Sequence, residues 1–254
     1  MGLCLCFRVG SAVAGDDYWH APFGGSFSAN FTVASDYSYA GISQTQLGPA
    51  FQAGLDYTSA DLGLGLPASL YVGVWGTNVA FPNTGNDIEL TISGGARLRA
   101  FANRLTVDLG YVRYAYPGVD AAFGYDYGEL SATVGYNFGF ASVNARLRYS
   151  PDSFANSGPS WNKRALVNVP LPFLTLADTV TFATYATVGN VWVEKFLTYG
   201  IPGNDYWYWQ FGLTATVKSF ALSLAYTGTS IDPEGCGNTA YCSGRFFVSL
   251  TKTF

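Results

Sequence analysis

Charged side chains in this sequence alternate with apolar ones, which places them together on one face of extended segments. Arg146 and Arg148 are flanked by Ala145, Leu147 and Tyr149, and a strand turns successive side chains to opposite faces. Rings of charged side chains set the ion preference of pores. The candidates for such a charged surface are Arg97, Arg99, Arg146, Arg148, Arg164, Asp36, Asp56, Asp87, Glu89 and Glu129.

The C-terminal segment, residues 246–254, is the clearest of the extended elements. One of its faces carries Phe246, Val248, Leu250 and Phe254. Only Lys252 interrupts this face, and near a strand end its ammonium group can reach lipid headgroups. Because a transmembrane β-strand meets lipid on one face and a polar lumen on the other, the pattern is typical of the closing strand of an outer-membrane barrel. An edge strand of a soluble β-sandwich would show the same alternation.

The composition favours the membrane alternative. Aromatic residues make up 17% of the chain and charged residues only 12%, a balance unsuited to a soluble surface. No segment approaches the run of about 18 apolar residues that a transmembrane helix requires. Alternating segments recur instead, each of roughly the 9–11 residues that cross a membrane at a tilt. We therefore predict an all-β fold: a single transmembrane antiparallel up-and-down β-barrel of about twelve strands over residues 25–254.

The connections between the predicted strands alternate in length. Those near Asn103, Gly139 and Ser219 are tight. Long connections rich in Gly, Pro, Asn and Asp fall at residues 117–126, 150–160, 191–205 and 232–244. Short periplasmic turns and longer outer loops are the rule for these barrels. With an even number of strands, we expect both termini to be periplasmic, in the outer membrane of a Gram-negative bacterium.

Some local assignments depend on aromatic residues. The first strand is predicted to run from Ser26 to about Tyr39 with Tyr37 facing lipid, and the register of the third strand is ambiguous. In the fifth strand, Val112, Tyr114 and Tyr116 suggest a bulge or a change of register.

Aromatic residues also gather near the ends of the predicted strands. They are Tyr37 with Tyr39, Tyr125 with Tyr127, and residues 206–209. We expect them to form girdles at the membrane interface. A carbohydrate-binding platform is the alternative for residues 206–209.

The charges predicted to face inward are unevenly distributed. Arg146, Arg148 and Arg164 come from the seventh and eighth strands. The acids come from the first, second and fourth strands, as Asp36, Asp56, Asp87 and Glu89. Because facing basic and acidic walls would orient polar solutes, we expect a passive channel for ions or small polar solutes with the three arginines as its selectivity wall. Alternatively, the charges pair internally and plug a barrel this narrow.

A structural or adhesive barrel is another possibility. Residues 191–205 are apolar enough to contact a partner or to fold inward as a constriction, and the sequence leaves both open. No lipid-facing patch stands out as an oligomer contact. We therefore expect a monomer whose partners are outer-membrane lipid and small polar solutes or ions. A net charge of −4 without a polybasic segment argues against nucleic-acid binding.

An outer-membrane hydrolase is the rival from another class. Serine chemistry needs a histidine base, and the single histidine, His20, lies before the first predicted strand. Asp87 and Glu89 share a face, as an aspartate-based pair would, but lumenal acids are common without catalysis. Neither the spacing of metal ligands nor a cofactor motif is present. We expect no enzymatic activity, no metal and no cofactor.

Residues 1–24 are predicted to be a truncated signal peptide and N-terminal tail. Residues 12–14, Ala-Val-Ala, resemble a signal-peptidase site, although the preceding apolar core is short and contains Arg8. A genuine short tail is the alternative. Cys4 and Cys6 would leave with a cleaved peptide.

Cys236 and Cys242 lie in a Gly- and Asn-rich segment before the final strand. In an oxidising compartment the two should form a disulfide. A pair of free thiols is the alternative, although exposed free cysteines are disfavoured outside the cytosol.

Several longer sequence motifs, each different from the others, lie along the chain. Residues 34–44 read Ala-Ser-Asp-Tyr-Ser-Tyr-Ala-Gly-Ile-Ser-Gln, and residues 49–57 read Pro-Ala-Phe-Gln-Ala-Gly-Leu-Asp-Tyr. Further motifs lie at residues 114–118, 127–130, 149–152 and 249–254. On these segments, which extend over nearly the whole chain after about residue 25, the sequence resembles the TorF family of proteobacterial porins. The resemblance implies location and architecture more than transport. That family usually places an Arg where this chain has Ala40, so any role of that Arg does not carry over.

Overall fold

The computed structural model describes residues 21–81, 87–174 and 179–254, which form a closed antiparallel barrel of twelve strands. In chain order the strands are β1 Ser26–Ala34, β2 Ala50–Thr58, β3 Ala68–Asn78, β4 Ile88–Ala100, β5 Leu105–Ala115, β6 Tyr127–Asn137, β7 Ser142–Ser150, β8 Ser160–Pro170, β9 Val180–Val193, β10 Asp205–Val217, β11 Phe220–Thr229 and β12 Arg245–Thr253. Each strand pairs with its neighbours in sequence, and β12 pairs with β1. The predicted all-β barrel and its strand number are confirmed.

The remaining regular elements are short and lie outside the barrel wall. They are a hairpin of Ser38–Tyr39 with Ile42–Ser43, 3₁₀ turns at Pro22–Gly24, Ala121–Phe123 and Phe154–Asn156, and one helical turn at Phe196–Tyr199. No helix in these described ranges is long and apolar enough to cross a membrane. Residues 1–20, which include the predicted signal peptide, Cys4, Cys6 and His20, lie outside the described residues.

The two ends of the barrel differ. One end holds the start of β1 and the end of β12, and we call it the terminal end. There the N–H of Phe254 donates to the carbonyl of Ala29 at 2.9 Å, which extends the closing ladder to the last residue. The opposite end, which we call the loop end, holds the long connections at residues 35–49, 116–126, 151–159, 194–204 and 230–244. The tight turns at residues 101–104, 138–141 and 218–219 lie at the terminal end. The predicted alternation therefore holds for these connections, but the terminal end also holds a long connection at residues 59–67.

Alternation of side chains continues along every strand, and the two ambiguous registers are resolved. In β3, Leu70, Val72 and Val74 are exposed on the outer face, while Tyr71 and Trp75 point inward. Strand β5 pairs with β4 and β6 without interruption, so the predicted bulge or register change is wrong. The apolar-looking residues at its end simply continue the inward face, as Val112, Tyr114 and Tyr116, all of them buried.

Strand β1 is shorter than predicted, because the chain leaves the wall after Ala34. The carboxylate of Asp36 accepts hydrogen bonds from Ser43 at 2.6 Å and from Thr45 at 3.0 Å, and it pairs with Arg245 at 2.7 Å. These bonds draw residues 35–45 across the loop end. Tyr37, predicted to face lipid, is consequently buried inside the barrel.

The aromatic residues predicted to form girdles divide between the two faces. Trp207 and Trp209 are exposed on the outer face, as expected. Tyr37, Tyr127, Tyr206 and Tyr208 instead point inward and are buried, so their assignment to a girdle is wrong. Other exposed rings lie near the terminal end, namely Phe27, Phe101, Phe138, Phe140, Phe220 and Phe254. Both rims of the outer face thus carry aromatic side chains, though not all of those expected.

Lys252 occupies the outer face near the terminal end. Its ammonium group donates to the hydroxyl of Ser219 and lies over the rings of Phe220 and Phe254, at 4.5 and 5.3 Å from their centroids. The long side chain therefore reaches the tight turn between β10 and β11, in agreement with the predicted position of its charge at the end of the strand.

The predicted disulfide between Cys236 and Cys242 is confirmed, with the two Cα atoms 6.0 Å apart. It stabilises the connection at residues 230–244, which folds back over the loop end. The N–H of Ser43 donates to the carbonyl of Tyr241 at 2.9 Å, so this connection also holds residues 35–49. Ile231 and Cys242 pack against Val193, Ile201 and Tyr206. We call these covering segments, residues 35–49, 194–204 and 230–244, the cap.

We expect the double variant Cys236→Ser/Cys242→Ser to have a more mobile cap on an intact barrel, because a ring this small restricts the unfolded loop by about 2 kcal/mol. Limited chymotrypsin digestion of the folded protein should cut at Tyr241 faster in the variant, and in the wild type after reduction. Equal cleavage rates with and without reductant would show that the disulfide does not hold the cap.

Candidate lumenal site

The loop-end half of the lumen is filled with side chains. Each strand from β1 through β11 contributes a buried inward-facing residue. In strand order these are Ala34, Ala50, Thr77, Glu89, Tyr114, Glu129, Arg148, Asn162, Val191, Tyr208 and Thr227. The cap covers this layer from outside. The buried side chains of the strands and the cap close this half of the lumen in the structure.

One buried ion pair lies at the centre of this closed half. Nη1 of Arg148 is 3.1 Å from Oε2 of Glu129, and both side chains are 4% exposed. The hydroxyl of Tyr114 donates to the same carboxylate oxygen at 2.9 Å and accepts a hydrogen bond from Arg148. Because each member contacts the other two, the triangle of β5, β6 and β7 satisfies the buried charges that isolation would make costly.

The buried Glu89 carboxylate has a different set of hydrogen-bond donors from that of Glu129. Its carboxylate accepts hydrogen bonds from the hydroxyls of Tyr37 at 3.0 Å and Tyr116 at 2.8 Å. Burial, followed by the nearby Glu89 carboxylate, raises the pKa of both tyrosines well above its ordinary value. The two hydroxyls therefore stay protonated at neutral pH and remain donors. Tyr39, whose pKa burial raises to about 12, lies beside them with its ring 6.3 Å from that of Tyr114.

Arg146 and Arg164 lie deeper in the barrel, opposite one another on β7 and β8. Arg146 is 8% exposed, and neither its Nε nor its Nη1 has a hydrogen-bond partner among the described residues. Nε of Arg164 is likewise buried without a partner in those ranges. No carboxylate of the described chain forms a salt bridge with either guanidinium. Of the three predicted selectivity arginines, two thus carry charge that these residues leave unpaired.

The terminal half of the lumen is polar and partly exposed. Asp108 pairs with Arg97 at 3.0 Å and accepts a hydrogen bond from Tyr71 at 2.8 Å. The guanidinium of Arg97 lies 5.0 Å from the centroid of the Tyr71 ring. Asp56 is near enough to Arg97 for their charges to interact. This cluster places two carboxylates beside one guanidinium on the wall of the terminal half.

The other predicted site residues lie at the two mouths. Asp36 is bound in the cap by Arg245, and Asp87 is exposed at the loop end. Arg99 lines a recess at the terminal end with Ser26 and Asp61. The structure therefore brings together Arg146, Arg148, Arg164 and Glu129 in mid-barrel. The predicted acidic wall is divided among the cap, the closed half and the terminal half.

Sequence reasoning missed the residues that contact these charges. Asp108, Tyr71 and Arg245 were not among the candidates, although the period of β5 and β3 would have placed the first two inward. The hydroxyls of Tyr37 and Tyr116 were missed because tyrosine also suits a membrane interface. Within the described ranges, no group of His, Cys, Asp and Glu residues is arranged to hold a metal ion.

Comparison with known proteins places this architecture in a family. Residues 20–254 match the profile described as bacterial protein of unknown function, Gcw_chp. The chain belongs to the Gcw_chp family. No curated protein matches the sequence.

Solved structures share the fold of this Gcw_chp protein at low sequence identity. The NanC porin superposes with a TM-score of 0.53 at 9% identity, over 90% of this chain and 99% of the porin. An outer-membrane channel from Pseudomonas putida F1 gives 0.49 at 12% identity, over 95% and 100% of the two chains. The KdgM porin gives 0.48 at 9% identity, over 89% and 99%. The NanC superposition shows that the fold is a porin-like β-barrel.

We expect Glu129→Gln to lower the free energy of unfolding by about 3–5 kcal/mol, because it leaves Arg148 buried beside Arg146 without its carboxylate. The matched control is Glu234→Gln, the same substitution at an exposed position of the cap, which should change stability by no more than about 0.5 kcal/mol. Urea unfolding in detergent micelles, followed by tryptophan fluorescence, measures both. Equal effects would mean that the buried pair contributes no more than a surface charge.

Proposed function

We propose that this protein is a passive outer-membrane channel for ions or small polar solutes, selective through the positive charge of Arg146 and Arg164. The observation that carries the proposal is the pairing pattern in the lumen. Arg97 and Arg148 have acidic partners, whereas Arg146 and Arg164 have none among the described residues. A passing ion would therefore encounter net positive charge in mid-barrel, where low dielectric strengthens its effect. The porin-like fold supports a channel over an adhesive barrel.

Orientation and oligomeric state follow from the same proposal. Short turns face the periplasm in barrels of this kind, so the terminal end with its tight turns is assigned to the periplasm and the cap to the outside. We propose a monomer, since each strand is paired within one chain and exposed apolar side chains recur on the outer face of the strands. The barrel is proposed to act without a cofactor and without catalysis.

Conduction requires the closed half to open, and the cap is the segment that would move. Arg245 connects two parts of it. Its guanidinium pairs with Asp36 and donates to the carbonyls of Gly41 and Tyr241 at 3.0 Å. These contacts support the alternative to the channel, which is a barrel that stays closed and transports nothing. A recording that never leaves the closed level would favour that alternative.

Single-channel recording of the refolded protein under a salt gradient tests the proposal. We expect discrete conductance steps and a reversal potential displaced toward the equilibrium potential of the anion. The double variant Arg146→Gln/Arg164→Gln should move it toward cations, because two unpaired positive charges leave the lumen. Arg113→Gln is the control, since it removes the same group from an exposed pair with Asp126. An unchanged reversal potential in the double variant would remove these two residues from the selectivity wall.

A second recording tests the cap. Asp36→Asn removes the charge that binds Arg245, so we expect the channel to spend more time open than the wild type. Glu234→Gln, in the same cap but exposed, should leave the open fraction unchanged. Equal open fractions in Asp36→Asn and the wild type would show that the Asp36–Arg245 pair does not keep the barrel closed.

A further inference from the structure

Two like charges face one another across a pair of strands inside the barrel. Arg146 on β7 is the direct register partner of Arg164 on β8, and both side chains point into the lumen. Residues opposite each other in an antiparallel pair have side chains within about 5.5 Å at Cβ, and like charges in that arrangement destabilise the sheet. The arrangement needs a source of negative charge to offset it.

No carboxylate in the described part of the chain forms an ion pair with either guanidinium. The Glu129 carboxylate already binds Arg148 and Tyr114. Tyr208, on the neighbouring wall, donates its hydroxyl to Asn162 at 2.9 Å. Arg146, more than nine-tenths buried, thus directs Nε and Nη1 into the lumen without an acceptor in the described part of the chain. A buried cation left in this way is costly, and buried polar groups in proteins are otherwise satisfied.

We infer that Arg146 and Arg164 form a binding site for the oxyanion group of a small solute, a carboxylate or a tetrahedral sulfate or phosphate. Guanidinium groups bind such oxygens through paired hydrogen bonds, and two facing guanidiniums can hold one group between them. The inference rests on the proposed channel, and it names the class of solute that the channel would take.

The surroundings fit an oxyanion that enters from the terminal half. Thr133 faces Arg146 from β6, and Asn144 precedes it on the same face of β7. Both are partly exposed and carry hydrogen-bond donors, whereas Arg148, one step toward the loop end, is 3% exposed. Arg164 is also partly exposed. The pair therefore lies where the polar, accessible half of the lumen meets the filled half.

The test is a titration of the refolded protein in detergent with sodium sulfate and with sodium acetate, at an ionic strength held constant with sodium chloride. Isothermal calorimetry should show saturable binding of one or both anions above the chloride background. Arg146→Gln and Arg164→Gln should each weaken it by about tenfold or more, the worth of a lost charged hydrogen bond. Preference for sulfate over acetate would identify a tetrahedral group, and the reverse a carboxylate.

Arg97→Gln is the matched control, because Arg97 faces the same lumen but is paired with Asp108. It should bind the anions as the wild type does. Arg146→Lys keeps the charge and loses the planar donor pair, so it should fold and still bind more weakly. In chloride alone, Arg146→Gln should unfold at a higher temperature than the wild type, because it removes the repulsion from Arg164.

Two outcomes would overturn the site: no saturable binding to the folded wild type, or undiminished binding in both glutamine variants. These outcomes can be distinguished from a failure of the proposed channel function. A barrel that binds sulfate but never conducts keeps the site and refutes the channel. A barrel that conducts without saturable anion binding keeps the channel and refutes the site.

Discussion

Hydrogen bonding between β12 and β1 is the constraint on which the rest of the structure depends. In lipid there is no water to satisfy the backbone, so an open sheet edge would leave N–H and C=O groups unpaired at several kcal/mol each. The register from Asn30 opposite Thr253 to Ala34 opposite Ser249 removes both edges. Closure then forces each strand to divide its side chains between lipid and lumen. Charged residues on the strands are thereby concentrated into a narrow interior.

That narrow interior explains why charge is handled so differently along the barrel. In the closed half, a buried carboxylate persists only with donors around it, and tyrosine supplies a donor with a large ring that also fills space. Glu89 uses two such hydroxyls, and Glu129 uses one hydroxyl and Arg148. In the terminal half, partial exposure to solvent lowers the cost of charge, and the Arg97–Asp108 pair stands without comparable packing.

The sequence was sufficient for the architecture because each strand carries its own alternation. Segments such as β6 and β7 put Leu130 and Leu147 outside and Glu129 and Arg148 inside, a local signal that needs no knowledge of neighbours. The cap could not be predicted in this way. Its anchor joins Asp36 to Arg245, far apart in the chain, and alternation does not report such contacts. It likewise gave the face of Tyr37 wrongly, since tyrosine occurs both at membrane interfaces and in polar interiors.

The pairing of charges was the least predictable feature, and it is the one that matters most for a solute. Alternation places Arg146, Arg148 and Arg164 on one wall and treats them alike. Their difference arises from cross-strand register and from the reach of side chains: Arg148 meets Glu129, while Arg146 meets Arg164. Departures from local consistency in a folded chain tend to mark functional sites, because a position kept only for stability would be expected to carry a partnered or apolar residue. The number of arginines on a wall therefore says little about the charge that a solute meets. What decides it is which arginines have already been neutralised by the protein.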